Sequence, residues 1–240
     1  MMTLIKNLAC MVALFIMAGS ASAQRLAQDI QADQLRKGPE VVALAKLEPG
    51  MIVADVFGGG GYYSEIISQQ VGNAGRVYLH NNQAYMPYVD KELTERLANN
   101  RLPNVIRHNQ EADDLAFEPQ SLDAIFYVLG YHDLYYKADG WHVDKKLFLE
   151  QLSVALKLGG ALIIVDHEAP AGSAFQTSQK LHRIEKAYVI EELKQYGFKL
   201  VSTSNLLVNK QDTLTLSALA PNMRRKTSRF ILIFEKVLPI

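Results

Sequence analysis

Four consecutive glycines, Gly58 to Gly61, follow a continuous apolar run and place the strongest constraint on how this chain folds. The run, residues 51–57, contains Asp55 as its only acidic side chain, which is typical of a parallel strand buried on both faces. A helical pattern begins directly after the glycines, at Tyr62. Glycines at such a strand–loop–helix junction let backbone N–H groups approach a ligand closely. The sequence therefore predicts a nucleotide-binding loop at this junction.

Strand and helix patterns alternate along the rest of the chain. Strands are predicted at 51–57, 76–80, 105–109, 122–129, 161–165, 198–207 and 230–236, and helices at 24–37, 62–71, 90–99, 145–156 and 184–196. Apolar strands that alternate with helices are typical of a doubly wound, mostly parallel sheet with helices on both faces. Only a long loop separates the last two predicted strands, so they are expected to pair antiparallel. We therefore predict an α/β fold with a seven-stranded sheet and an antiparallel last strand.

The first 23 residues differ in character from the rest of the chain. Lys6 precedes an unbroken apolar run from residue 8 to residue 18, and the small residues Ala21-Ser22-Ala23 complete the pattern of a secretory signal peptide. The apolar run is shorter than the roughly 20 residues that span a bilayer. We predict a cleavable signal at 1–23, a single domain at 24–240, export to a bacterial periplasm and no stable membrane insertion afterwards.

Charge and cysteine content exclude several classes of function. The chain has 25 basic and 25 acidic side chains, and this balance argues against a sequence-independent nucleic-acid binder. Cys10 is the only cysteine and leaves with the predicted signal, so the mature domain has no disulfide, thiolate nucleophile or cysteine-bound metal. A small molecule is the expected partner, and the sequence indicates no oligomeric state.

The spacing of the glycines distinguishes two classes of nucleotide ligand. A dinucleotide fingerprint requires Gly or Ala three positions after its second glycine, where this chain has Tyr63 or Ser64. The segment VADVFGGGGY, residues 53–62, instead resembles the first motif of the class I S-adenosylmethionine-dependent methyltransferases, a Rossmann-like family. In that motif an acid is followed by glycines at the second, fourth and sixth places. Phe57 stands where the first of those glycines is usual.

Further segments resemble later motifs of the same family in the same order: 111–117, 121–125 and 156–162. The resemblance implies S-adenosylmethionine as cofactor. It assigns cofactor contacts to Asp55, Gly59, Gly61, Asn81, Glu111 and Ala112. Glu111 and the Ala112 N–H inherit contacts with the adenine ring, and Asn81 stands where an acid usually holds the ribose. More narrowly, 131–135, 166–167, 181–184 and 226–230 resemble a poorly characterised bacterial group of predicted methyltransferases.

Histidines and acids follow the fourth and fifth predicted strands, where ligands bind in open parallel sheets. His132 and Asp133 follow the fourth strand, and Asp166, His167 and Glu168 follow the fifth. Histidine transfers protons near neutral pH, so we predict His132, His167 and Asp133 as catalytic residues. The alternative is that both histidines are structural residues of their loops.

These observations leave three hypotheses. The first is an S-adenosylmethionine-dependent methyltransferase acting on an unknown small molecule. The second, motivated by Phe57 and Asn81, is an exported non-catalytic binding protein that keeps the fold. The third is a metal-assisted enzyme on the same fold, with ligands from His132, Asp133, His167, Glu168 and His182. No spacing such as HExxH is present, so no residue is assigned to a metal.

Overall fold

Residues 24–238 are described by the computed structural model, and the predicted signal peptide, residues 1–23, lies outside the described residues. The helices are α1 (Ala27–Arg36), α2 (Gly38–Ala43), α3 (Tyr62–Val71), α4 (Met86–Leu97), α5 (Lys145–Ala155), α6 (Ser178–Leu181) and α7 (Lys186–Lys194). The strands are β1 (Ile52–Val56), β2 (Arg76–Asn81), β3 (Val105–Asn109), β4 (Leu122–Val128), β5 (Leu156–His167), β6 (Phe198–Ser204) and β7 (Arg229–Lys236). Short 3₁₀ segments lie at Ala98–Asn100 and Tyr131–Tyr135.

The strands form one seven-stranded sheet in the order β3-β2-β1-β4-β5-β7-β6. The first five strands pair parallel, and β7 pairs antiparallel with both β5 and β6. The predicted seven-stranded, mostly parallel sheet with an antiparallel last strand is therefore confirmed. The chain reverses its direction of winding between β1 and β4, and in such sheets the crevice beyond these carboxyl ends is where ligands bind.

Two hydrophobic clusters cover the two faces of the sheet. Alternate strand residues point to opposite faces, so Val53 and Phe126 join one cluster while Ala54 and Tyr127 join the other. Helices α2 and α3 cover the first face, and α5 and α7 cover the second. Helices therefore cover both faces of the sheet, as the sequence predicted.

Several element boundaries differ from the predicted ones. Helix α4 begins at Met86 rather than residue 90. Proline is accommodated at Pro87 because N–H groups in the first turn of a helix have no carbonyl partner within the helix. Strand β5 begins at Leu156 rather than residue 161, because Leu156 pairs with Leu122 before a register shift. Among the described residues, none of the helices has the length and apolar character needed to cross a membrane.

Candidate active site

The glycine loop between β1 and α3 is held by three side chains, of which the sequence had assigned only Asn81 to the cofactor site. The Phe57 N–H donates to Nδ1 of His80 at 3.2 Å. The amide of Asn81 bonds Gly59 on both sides, accepting from its N–H at 3.0 Å and donating to its carbonyl oxygen at 3.0 Å. The guanidinium of Arg96 donates to the Gly60 carbonyl oxygen. The backbone shape of the loop is therefore set by residues of β2 and α4.

The glycines of this loop are required by conformation and by space. Gly59 and Gly61 have φ values of 58° and 81°, in the left-handed region that favours glycine. A Cβ atom on Gly58 would lie 2.6 Å from Oδ2 of Asp55, and one on Gly61 would lie 2.6 Å from Cδ1 of Leu79. Side chains at these positions would close the approach to the backbone that the loop provides.

Phe57 departs from the family motif, and the structure supplies a reason for the side chain. Its φ is 51°, so it adopts the conformation that the usual glycine would adopt more readily. Its ring lies 5.0 Å from that of His80, 5.3 Å from Tyr85 and 5.4 Å from Trp141, measured between centroids. The ring of Phe57 thus joins the loop to an aromatic cluster, and this packing offsets the backbone strain.

His80 is fully buried and serves the loop as a neutral acceptor. Its Nδ1 accepts from Phe57, and its Nε2 lies 3.0 Å from the Gln110 carbonyl oxygen, to which it donates. This tautomer leaves no room for a second proton without breaking the bond to Phe57. Burial lowers the pKa of His80 to about 4. His80 is therefore a structural residue of the loop.

Arg96 is fully buried and joins three helices to the loop. It pairs with Asp29 of α1 at 2.5 Å, with Glu65 of α3, and with Glu92 one turn earlier in α4 at 3.0 Å. A buried cation needs such partners, because an unpaired charge in the interior costs several kcal/mol. Glu92 and Arg96 are four residues apart, a spacing at which ion pairs form on a helix, but the sequence does not indicate that Arg96 is buried.

A cavity of about 230 Å³ lies over the glycine loop. Asp55 and Gly59, two of the predicted cofactor residues, line it. Asp55 is buried, and its Oδ2 accepts from the Ser64 hydroxyl at 2.6 Å. Burial raises the pKa of Asp55 to about 6, and the bond to Ser64 opposes that rise. The cavity floor thus combines a carboxylate with exposed loop backbone.

Two arginines that sequence reasoning missed also line this glycine-loop cavity, Arg36 from α1 and Arg229 from β7. Arg229 is buried, its Nη2 donates to the Leu35 carbonyl oxygen at 2.8 Å, and its Nε has no partner in the described part of the chain. Burial lowers the pKa of Arg229, and the nearby charge of Arg36 adds to that effect. A guanidinium in these surroundings favours an anionic ligand.

A second cavity, of about 510 Å³, adjoins the first, and Tyr85 lines both. Tyr88, Tyr136 and Trp141 join Tyr85 in its lining, and Asp133 is one of its polar residues. Pockets for small molecules combine apolar walls with a few polar groups in this way. We call it the aromatic cavity.

The other predicted cofactor residues, Gly61, Asn81, Glu111 and Ala112, do not line the glycine-loop cavity. Gly61 caps the N-terminus of α3, and Asn81 is fully buried beneath Gly59. Glu111 accepts from the Gln83 N–H at 3.1 Å, so it lies at the carboxyl ends of β2 and β3. Ala112 is buried. The adenine and ribose contacts assigned to these residues stay predictions, and for Asn81 the geometry adds a role in shaping the loop.

The structure brings the predicted catalytic residues His132 and Asp133 together. His132 Nδ1 lies 2.8 Å from Oδ1 of the buried Asp166, and its Nε2 lies 3.2 Å from Oδ1 of Asp133. Burial alone would lower the pKa of His132, but the two carboxylates outweigh it and raise that pKa to about 9. His132 is therefore held as an imidazolium between two acids.

His167 lies beside this group in a different state. Its Nδ1 lies 2.8 Å from the Thr227 hydroxyl, and its ring centroid is 5.7 Å from that of His132. Burial lowers the pKa of His167 to about 3, which Asp166 only partly offsets. The sequence assigned His132 and His167 the same catalytic role, whereas the structure shifts their pKa values in opposite directions. Their catalytic roles stay predictions.

The curated proteins that match this chain all carry the name of one C-methyltransferase. No family model matches the chain. A ubiquinone/menaquinone biosynthesis C-methyltransferase UbiE of Legionella pneumophila (strain Corby) is 30% identical over 130 residues, which cover 54% of this chain and 48% of that protein. The chain thus spans about half the length of the curated relatives it matches.

Solved structures share the fold over most of the chain. A S-adenosylmethionine-dependent methyltransferase from Aquifex aeolicus superposes with a TM-score of 0.63 at 20% identity, covering 86% of this chain and 93% of that one. The [4+2]-cyclase SpnF superposes with a TM-score of 0.58 at 14% identity, covering 85% and 82%. At these identities the likeness shows the fold.

The sheet order and the glycine loop at the switch between β1 and β4 define a nucleotide-binding α/β protein. Among such proteins, the curated relatives are named C-methyltransferases, and a matching solved structure is a S-adenosylmethionine-dependent methyltransferase. The chain therefore has the fold of S-adenosylmethionine-dependent methyltransferases and is similar in sequence to C-methyltransferases over about half of its length.

Proposed function

We propose that this protein binds S-adenosylmethionine over the glycine loop and transfers its methyl group to a small molecule. The observation that carries the proposal is the glycine-loop cavity, which Asp55, Arg36 and Arg229 line together. The amino-acid end of the cofactor carries a carboxylate and an ammonium group. The two arginines suit the carboxylate, and Asp55 suits a positive group, so the cavity matches this end of the cofactor in charge.

The nucleoside end of the cofactor is assigned by the family resemblance. Glu111 and the Ala112 N–H contact the adenine ring, and Gly59, Gly61 and Asn81 form and support the loop beneath the ribose. Support comes from Glu111, which reaches the Gln83 N–H at the end of β2 and so stands on the same edge of the sheet as the glycines.

The aromatic cavity is the proposed site of the methyl acceptor. Tyr88, Tyr136 and Trp141 suit a flat, apolar molecule, and Asp133 offers an acceptor for a hydroxyl or amine proton. The curated relatives carry the name of a C-methyltransferase of quinone biosynthesis, which supports an aromatic substrate class. Methyl transfer is an in-line displacement, so positioning supplies much of its rate. His132, Asp133 and His167 are the residues proposed to act on the acceptor: the two histidines orient it, and the Asp133 carboxylate accepts its proton.

Calorimetry with two ligands tests cofactor binding. S-adenosylhomocysteine carries the amino-acid end of the cofactor, and adenosine lacks it. We expect Arg229→Met to weaken S-adenosylhomocysteine binding at least about tenfold, in line with the loss of one charged hydrogen bond, and to leave adenosine binding unchanged. Arg224→Met is the matched control, because Arg224 is exposed and lies outside the cavity. Equal losses for both ligands, or no binding of either at millimolar concentration, would contradict the proposal.

We also propose that residues 1–23 direct export and are removed. Mass spectrometry of the protein from a periplasmic extract should give a chain that begins at Gln24. A chain that keeps residues 1–23 and stays in the cytoplasm would refute this part of the proposal without affecting cofactor binding.

A further inference from the structure

Three potential metal ligands converge beside the aromatic cavity. Nε2 of His132, Oδ1 of Asp133 and Nδ1 of His182 lie within 4.8 Å of one another, with Asp133 Oδ1 3.2 Å from His132 and 3.8 Å from His182. The ligand atoms of a tetrahedral zinc site are about 3.4 Å apart, because Zn–N and Zn–O bonds measure about 2.0–2.1 Å. We propose that these three side chains bind one divalent transition-metal ion of the Zn²⁺ class.

The orientation of His132 supports the site. Its Nδ1 faces Oδ1 of Asp166 at 2.8 Å, and its own N–H donates to Oδ2 of Asp166 at 2.8 Å. Asp166 is fully buried, so the ring is fixed from behind. Metal-binding histidines commonly carry a carboxylate on the nitrogen away from the ion, which fixes the tautomer and leaves the other nitrogen for the metal. Nε2 of His132, which faces Asp133, is the nitrogen left for the ion, and the ion replaces the proton that this nitrogen carries in the imidazolium.

The backbone at His182 is held in an uncommon conformation. His182 follows α6 with a φ of 50°, in the left-handed region. The next residue, Arg183, is fully buried and pairs with Asp212 at 2.9 Å, which anchors the turn. The His182 ring centroid lies 4.8 Å from that of Tyr136. Left-handed backbone at a residue other than glycine persists only where surrounding contacts hold it in place, and such residues are frequent at functional sites.

The donor set defines the class of ion and the coordination. Two imidazoles and one carboxylate suit zinc and other first-row transition ions rather than Mg²⁺ or Ca²⁺, which prefer oxygen ligands. Both ion pairs that Asp133 makes in the described part of the chain are with histidines, so no lysine or arginine there occupies its carboxylate. Three protein ligands leave a position open, as in catalytic zinc sites. Asp133 lines the aromatic cavity, so a ligand at this position comes from that cavity.

This site goes beyond the proposed methyl transfer, because it is defined without cofactor or substrate. A bound ion would polarise an oxygen atom of the molecule in the aromatic cavity and favour loss of its proton. His132 would then serve as a ligand, and the ion would take over the activation of the acceptor oxygen.

Titration calorimetry with Zn²⁺ tests the site in full-length protein without a histidine tag, after treatment with a chelator. We expect one equivalent of Zn²⁺ to bind, and His182→Ala and Asp133→Asn each to weaken binding at least about tenfold. Asp166→Asn should weaken it about 10- to 100-fold, as changes behind a metal ligand commonly do. His142→Ala is the matched control, because His142 is exposed and lies on the neighbouring loop. Substitution with Co²⁺ should give visible absorption bands that His182→Ala abolishes.

The proposal is overturned if the wild-type protein binds no Zn²⁺, or if His182→Ala and His142→Ala bind it equally. Circular dichroism establishes whether each variant is folded, and His182→Gln provides a second substitution if His182→Ala is not. Calorimetry with S-adenosylhomocysteine on the same samples separates the two proposals. We expect His182→Ala to bind this ligand as the wild type does, so loss of metal binding alone leaves cofactor binding intact.

Discussion

Acid should destabilise this protein through His80, the buried histidine that supports the glycine loop. Its pKa is about 4 in the folded protein, against 6.5 for the ordinary side chain. The unfolded chain therefore takes up a proton more readily, and folding stability falls as the pH drops from about 6.5 through 4. The full difference corresponds to about 3 kcal/mol, and at pH 5 the loss is about 2 kcal/mol relative to pH 7.5. Above pH 7 the histidine is neutral in both states and contributes no pH dependence.

Denaturant unfolding at pH 7.5 and pH 5 isolates this contribution when the wild type is compared with His80→Asn. Asparagine offers an acceptor oxygen close to the position of Nδ1, so the bond from the Phe57 N–H is retained in part, and the group no longer titrates. We expect the variant to be less stable than the wild type at pH 7.5 and to lose about 2 kcal/mol less on acidification. His142→Asn, at an exposed position, should lose as much as the wild type. If His80→Asn and the wild type lose the same free energy, His80 is not the neutral, buried acceptor that the geometry indicates.

Two further substitutions test the loop and its acid. Asp55→Asn should raise the free energy of unfolding at pH 7.5 by up to about 3 kcal/mol and weaken S-adenosylhomocysteine binding, because burial raises the pKa of Asp55 to about 6 from 3.8. That penalty on the folded state is absent below pH 4 and complete above pH 6, so chemical unfolding at pH 4 should show a smaller gain. Asn81→Asp should lower the stability at pH 7.5 by about 1–3 kcal/mol, because the Gly59 carbonyl oxygen loses its donor and faces a buried carboxylate. A thermal melt that equals the wild type would refute this account of Asn81.

The fold was predictable because its signals are local. Apolar runs such as residues 122–129, separated by helical patterns, identify strands and helices from neighbouring residues alone. The antiparallel β7 followed from the absence of a helix between the last two strands. Boundaries were less accurate, because the start of β5 at Leu156 depends on pairing with Leu122, a contact between segments far apart in the chain.

The candidate site was only partly predictable, since its function depends on which residues meet across the sheet. Asp55 and Gly59 carry a motif and line the cavity, as expected. Arg36 and Arg229 carry no motif, and they line one cavity because the end of α1 contacts the first residue of β7. The partner of His132 is Asp166, one of the acids that the sequence placed after the fifth strand, and this pairing depends on the register between β4 and β5.

The two departures from the family motif belong to one structural unit. Phe57 replaces a glycine at a left-handed position, and its N–H is bound by His80, the residue before Asn81. Asn81 replaces an acid and uses both sides of its amide on Gly59, two residues after Phe57. An acid could accept from the Gly59 N–H but could not also donate to its carbonyl oxygen. The Phe57 ring packs in the aromatic cluster and the Asn81 amide holds Gly59, so both side chains support the loop in the shape that presents its backbone to the cavity, and neither requires that the loop has lost its ligand.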